Sequence, residues 1–277
     1  MRHTPQSGAM LVPREHGATA MMLTPFLCAA LLLRHVYWQE AVTLVAILVA
    51  LVIKDPLVVL ARQRWVWKQE HPETRGAMRL AAIELLVLTA CGVTLLWTRD
   101  PAAFGLLFVG SAAFTALAVM VNVRNRQRAV WFQVVSAAAL SATCVAACLS
   151  GPGKVPGWCW LLWLLCTVQA TAGIFVVHAR LDARNSKGKP VNVANRRLAF
   201  LLQMILLASA MWFALRGQFW IATALALAAI GYLLELRRQQ NQAALKMSLK
   251  RVGQQTLALA VAFALLVCPN WSNSGKL

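Results

Sequence analysis

Read with a window of about 19 residues, the chain divides into nine apolar stretches, near 18–33, 41–61, 80–97, 102–121, 129–149, 157–177, 198–215, 218–235 and 254–268. Short polar segments part them. A helix crossing a bilayer needs about 17–25 such residues, so several stretches sit at the short end of the range. The thinnest division is Arg216-Gly217, where only a tight turn separates two stretches. The undivided run 198–235 is nevertheless too long for one crossing of about 30 Å. The pattern predicts an all-α polytopic membrane protein: one integral-membrane domain over residues 1–277, a bundle of about nine transmembrane helices.

Composition supports this class and removes the others. Of 277 residues, 60% are apolar and 13% charged, against about 45–50% and about 25% in soluble domains. A soluble globule of this make-up would lack a polar coat. Disorder is excluded by the apolar content. A disulfide scaffold is excluded because the seven cysteines lie almost wholly inside apolar runs.

The net charge of +18 is first a topological signal. Taking loops alternately, one side holds only Arg34, Arg99, Lys154, Arg216 and Lys276, one per loop. Lys54 lies inside a stretch, and the other 21 of the 27 Lys and Arg fall on the opposite side. By the positive-inside rule the N-terminus is cytoplasmic and the C-terminus outside. Nucleic acid is a poor partner for basic loops this short and held against a membrane. The expected partners are membrane lipids and phosphorylated substrates at the inner leaflet, at roughly 1 kcal/mol per Lys or Arg. Tryptophans near both sets of stretch ends form an aromatic belt. The first stretch has no small-residue cleavage site after it, so no cleavable signal peptide is expected. The longest loops, 62–79, 178–197 and 236–253, are too short to fold alone, so chemistry must come from helix ends and these loops.

Four polar clusters then stand out, because an ionisable group inside a span costs several kcal/mol to leave there. Pro13-Arg14-Glu15-His16-Gly17 opens the first stretch; Arg14 and His16 could hold a headgroup, or merely anchor the helix by snorkelling. Lys54-Asp55-Pro56 lies inside the second stretch, with Pro56 freeing a carbonyl and Arg62 seven residues on, sharing a face with Asp55. The pair could form a site or simply neutralise itself. Glu84, in the next stretch, could face Asp55 or pair with Lys54 or Arg79. Finally, the segment 178–190 stacks His178 on Asp182 and Arg180 on Arg184, each at i, i+4, with Lys187 following. The Arg stripe suits an anion and the His–Asp pair a metal or proton relay, unless this is an ordinary basic loop. Gln133, Gln169 and Gln203 are expected as interhelical hydrogen-bond partners, and Cys144 and Cys148 as packing residues.

Residues 13–26, Pro-Arg-Glu-His-Gly-Ala-Thr-Ala-Met-Met-Leu-Thr-Pro-Phe, resemble the N-terminal signature of the YwiC-like family of bacterial membrane proteins, and Lys54-Asp55-Pro56-Leu57 is similar to its second-span motif. More distantly, nine spans, a cytoplasmic N-terminus and polar clusters at the ends of spans two and six resemble UbiA-type prenyltransferases. That likeness implies Mg²⁺ held by Asp-rich motifs against an isoprenyl diphosphate. Laid on this chain, the motifs fall on Lys54, Asp55, Val58 and Arg62, and on His178 and Asp182, so one carboxylate stands in each place. It implies Asp55 and Asp182 as metal ligands, Asp55, Asp182, His178 and Glu84 as catalytic groups, and Arg14, His16, Lys54, Arg62, Arg180, Arg184 and Lys187 around phosphate. The expectation is a transferase acting on an isoprenoid or other lipid phosphate at the cytoplasmic face. The alternatives are a non-catalytic membrane scaffold or assembly protein, and a transporter.

Overall fold

The computed structural model describes residues 16–69, 72–185, 193–241, 245 and 249–273. In chain order the helices are α1 (His16–Leu33), α2 (Trp38–Val52), α3 (Lys54–Arg62), a π-helical turn (Gln63–Trp67), α4 (Thr74–Thr98), α5 (Pro101–Val123), α6 (Val130–Ser141), α7 (Thr143–Ser150), α8 (Gly157–Asn185), α9 (Val193–Leu215), α10 (Phe219–Arg238) and α11 (Leu249–Asn273). No strand occurs among the described residues. Ile53 and Ala142 keep helical backbone angles, so α2 runs into α3 and α6 into α7 as single rods. Among the described residues, nine rods therefore stand on the nine predicted stretches. Seven are long and apolar enough to cross a membrane; the shorter apolar helices are Gly17–Leu33 and Gly253–Val267.

Where prediction and structure differ, it is at the ends. α4 begins at Thr74 rather than residue 80, and α8 continues to Asn185 rather than stopping at 177. An apolar window closes at the first charges, but backbone bonding continues until something interrupts it. The tight turn at Arg216-Gly217 is real. Gly217 has φ +75°, and the amides of Gly217 and Gln218 donate to the carbonyls of Ala214 and Phe213. This is a Schellman stop, and glycine holds the left-handed position without a Cβ penalty. α5 ends in the same way on Asn125, at φ +53°, with Arg126 N–H reaching Val121 O at 2.9 Å.

The packing is uneven. One continuous core joins α1, α7, α8, α9, α10 and α11 through small, fully buried residues such as Ala29, Ala147, Cys159, Ala172, Ala199, Ala224 and Ala228. Small side chains let helix backbones approach closely, the usual basis of helix association in lipid. At Gly173 the fit leaves no room for a Cβ, which would sit 2.7 Å from Tyr232 Oη. α4 and α5 are different, for most of their apolar surface faces outward, with Leu86 70%, Trp97 87% and Leu106 76% exposed. A soluble protein rarely exposes an apolar belt of this extent; a bilayer covers it.

Polar contacts set the level of the rods. Arg62, ending α3, bonds the end of α5. Asp182, near the end of α8, accepts from Asn195 at the start of α9, and Arg180 of α8 pairs with Glu235 near the end of α10. All of these lie at the end of the bundle carrying the long basic connections, as the alternation of charge requires.

Candidate functional site

Between the sparsely packed rods lies an apolar cavity of about 360 Å³. Its walls come from α1 (Met22), α2, α4 (Leu88, Leu95), α5 and α6–α7 (Ala139 to Ala146). Along α2 and α3 the lining runs from Thr43 to Lys54, about 16 Å at 1.5 Å per residue. The lining is apolar except at a few points. Thr43, Ser111, Thr115 and Thr143 are its hydroxyl residues, and Lys54 contributes its amine at the basic end. Thr43 is only 3% exposed, and its Oγ1 has no hydrogen-bond partner among the described residues.

Lys54 begins α3 one residue past the α2 junction, and its Nζ lies 3.9 Å from Asp55 Oδ1. Pro56 follows, supplying no amide to the turn before it. Glu84, one turn of α4 beyond the cavity-lining Leu88, is 7% exposed and interacts repulsively with Asp55 across the α3–α4 packing. Asp55 and Glu84 thus stand on helices that pack against each other. The apolar slot reaches one ammonium, that of Lys54, with the Asp55 carboxylate 3.9 Å from it.

Arg62 has other work. Its Nη2 donates to Asn122 O at 2.9 Å and Asn125 Oδ1 at 3.0 Å, closing the carbonyl end of α5. Leucine at this position is expected to cost about 1.5–3 kcal/mol, the usual worth of hydrogen bonds from a charged donor. Denaturation of the detergent-solubilised Arg62→Leu protein reads this directly. Unchanged stability with weakened phosphate binding would return Arg62 to the site.

The α8 cluster is also organised, but around itself. α8 does continue far enough to stack His178 on Asp182. His178 Nε2 meets Gln133 Oε1 of α6 at 2.9 Å, and Asn195 Nδ2 donates to Asp182 Oδ2 at 2.7 Å. Arg180 is 1% exposed and its Nη1 binds Glu235 Oε1. Gln239, one turn further along α10, donates to Val176 O at 3.1 Å. Arg184 is exposed at the end of the helix. α3 packs against α2, α4 and α5, whereas α8 packs against α1, α6, α7, α9, α10 and α11. The two sequence clusters thus belong to different neighbourhoods. Arg14 and Lys187 lie outside the described residues, and for His16 only its place at the start of α1 is described.

These donors do not fit a Mg²⁺ centre. The ion wants several oxygen ligands in close octahedral array, yet Asp55 and Asp182 stand on separately packed helices and Asp182 already receives an amide. Among the described residues no group of three or more His, Cys, Asp or Glu is placed to hold a metal.

Glu235, Asn195 and Gln239 escaped the sequence reading because each lies at a helix end beside basic residues that read as an ordinary loop boundary. Only the i, i+4 spacing of Glu235 and Gln239, beside the basic run of α10, marked them. Two of the three glutamines do bridge helices, Gln133 to His178 and Gln169 to Tyr232 Oη at 2.9 Å. Gln203 does not: its amide turns back to Ala199 O of its own helix at 3.0 Å. Cys144 and Cys148 are fully buried in the main core with Cys159, as packing residues would be.

An all-helical bundle with seven long apolar helices and an outward apolar belt defines a multi-pass membrane protein. Residues 12–148 match the family model described as YwiC-like protein, so that segment is similar to the YwiC-like family. No curated protein and no solved structure matches the chain. Every residue lining the cavity, from Met22 to Ala146, falls inside the matched segment.

Proposed function

We propose that this protein is an intramembrane transferase acting on an isoprenoid or related lipid phosphate at the cytoplasmic face of a bacterial inner membrane. The observation that carries the reading is the apolar cavity lined at its basic end by Lys54, whose Nζ lies 3.9 Å from Asp55 Oδ1. The slot accepts a hydrocarbon chain, and its one lining cation stands where a phosphate would leave the apolar region. In such a transfer the C–O bond to an allylic diphosphate ionises, diphosphate departs, and an acceptor bonds the carbon and releases a proton. Lys54 would stabilise the charge growing on the leaving group, and Asp55 or Glu84 would take the proton. No step here is assigned to a metal. His16 begins α1, whose Met22 lines the same cavity, and it and Arg14, two residues earlier in the sequence, are the further candidates for the phosphate.

Thermal unfolding of the purified protein with farnesyl and longer prenyl diphosphates tests this. A ligand at 100 times its Kd adds about 2.7 kcal/mol. The expected result is a stabilisation that Lys54→Met removes. Absence of any shift with every prenyl diphosphate would defeat the proposal.

One observation favours a second reading, a non-catalytic membrane scaffold. The α8 polar groups are tied to partners from α6, α9 and α10, as a purely structural network would be. Full function in cells of both Asp55→Asn and Asp182→Asn would support it.

A further inference from the structure

We propose that the groove between α9 and α10 at the basic end binds an anionic membrane phospholipid carrying two phosphates. The groove has a volume of about 550 Å³ and is lined by Arg196, Arg197 and Arg237 above Phe200, Leu201 and Leu233. The layering follows from helix spacing. Phe200 and Leu201 lie four residues beyond Arg196 and Arg197, one turn deeper along α9. Leu233 lies one turn deeper than Arg237 along α10. Three guanidinium groups thus stand at headgroup level over apolar side chains at acyl level, and Phe200 and Leu201 are 51% and 55% exposed there.

The chain offers these arginines almost no negative charge. From residue 101 onward there are seventeen Lys and Arg but only two carboxylates, Asp182 and Glu235. Asp182 accepts from Asn195, and Glu235 is held by Arg180 and Gln239. Among the described residues no ion pair reaches Arg196, Arg197 or Arg237. A lipid phosphate supplies the complementary charge that these arginines do not receive from the described residues. Guanidinium forks match phosphate oxygens in pairs, and basic pockets between helices on the cytoplasmic side suit lipids with clustered phosphates. Three guanidinium groups exceed what one phosphodiester balances, which selects the two-phosphate lipid. The groove is separate from the Lys54 cavity and makes no use of it.

The test is the unfolding temperature of the delipidated full chain titrated with diphosphatidylglycerol, phosphatidylglycerol, phosphatidylcholine and inorganic pyrophosphate. Diphosphatidylglycerol should stabilise at the lowest concentration, phosphatidylglycerol at a higher one, and phosphatidylcholine not at all. R196Q/R197Q/R237Q should weaken diphosphatidylglycerol on the order of 100-fold, at about fivefold for each charge removed. R124Q/R126Q/R128Q, which removes as many charges elsewhere, should bind as the natural chain does. If the triple groove variant does not fold, R237Q alone carries the reading, at about fivefold. Undiminished binding by the groove variant, or equal stabilisation by phosphatidylcholine, overturns the proposal. Equal stabilisation by pyrophosphate overturns it in favour of a site for free phosphate.

Discussion

Arg180→Met is expected to destabilise the protein by about 3–5 kcal/mol, because it strands Glu235 without its cation inside the bundle. Arg180 is 1% exposed and its partner's side chain 14%, so little water reaches either group. Glu235→Met strands the arginine instead and should cost a similar amount. Changing both to methionine should recover most of the loss, since apolar groups of similar volume can replace a buried pair at little net cost. A double-mutant cycle in thermal or denaturant unfolding measures the coupling. If Arg180→Met instead leaves stability untouched and removes binding of a phosphate ligand, the arginine is a phosphate clamp and the α8–α10 pair a minor contact.

Filling the cavity should have the largest effect on ligand binding. Ala50 and Thr115 both line it, from α2 and α5. Phenylalanine at both positions occupies the space a hydrocarbon chain would need. Losing a few buried methylenes of ligand, at about 0.8 kcal/mol each, should weaken a prenyl diphosphate roughly 100-fold. Short soluble phosphates, which need only the charged end, should bind the double variant as before. A prenyl ligand that binds both proteins equally would place its chain somewhere other than this cavity.

The architecture was legible because each helix writes its own signal. Hydrophobic length and loop charge are local properties, and nine of nine stretches fold as rods. Even the division at Arg216-Gly217 was visible, since glycine followed by a second apolar run is what a Schellman stop requires. The candidate site was legible only in part. Lys54, Asp55 and Glu84 stood out because charge inside an apolar run is conspicuous. The cavity beside them was not, because an empty volume is a property of how Thr43, Leu95, Phe104 and Ala146 meet from different rods. The basic residues of α3 and α8 misled for a related reason. Arg62 and Arg180 look alike as cations near a membrane, but the first closes a helix end and the second meets a carboxylate 55 residues away.

The order of synthesis runs against the order of packing. α1 is made well before α11, yet it packs along it, and Cys28 Sγ reaches Ala264 O at 3.8 Å across 236 residues of chain. At about 5–20 residues per second, α1 waits on the order of 10–50 s in the bilayer before that neighbour exists. Its Glu15-His16 entry and its mid-helix Pro25 must meanwhile be tolerated by lipid or by the insertion machinery. Ribosome stalling before α11 would therefore leave α1 open to proteolysis or mispairing, making biogenesis rather than folded-state stability the step most exposed to mutations in the first helix.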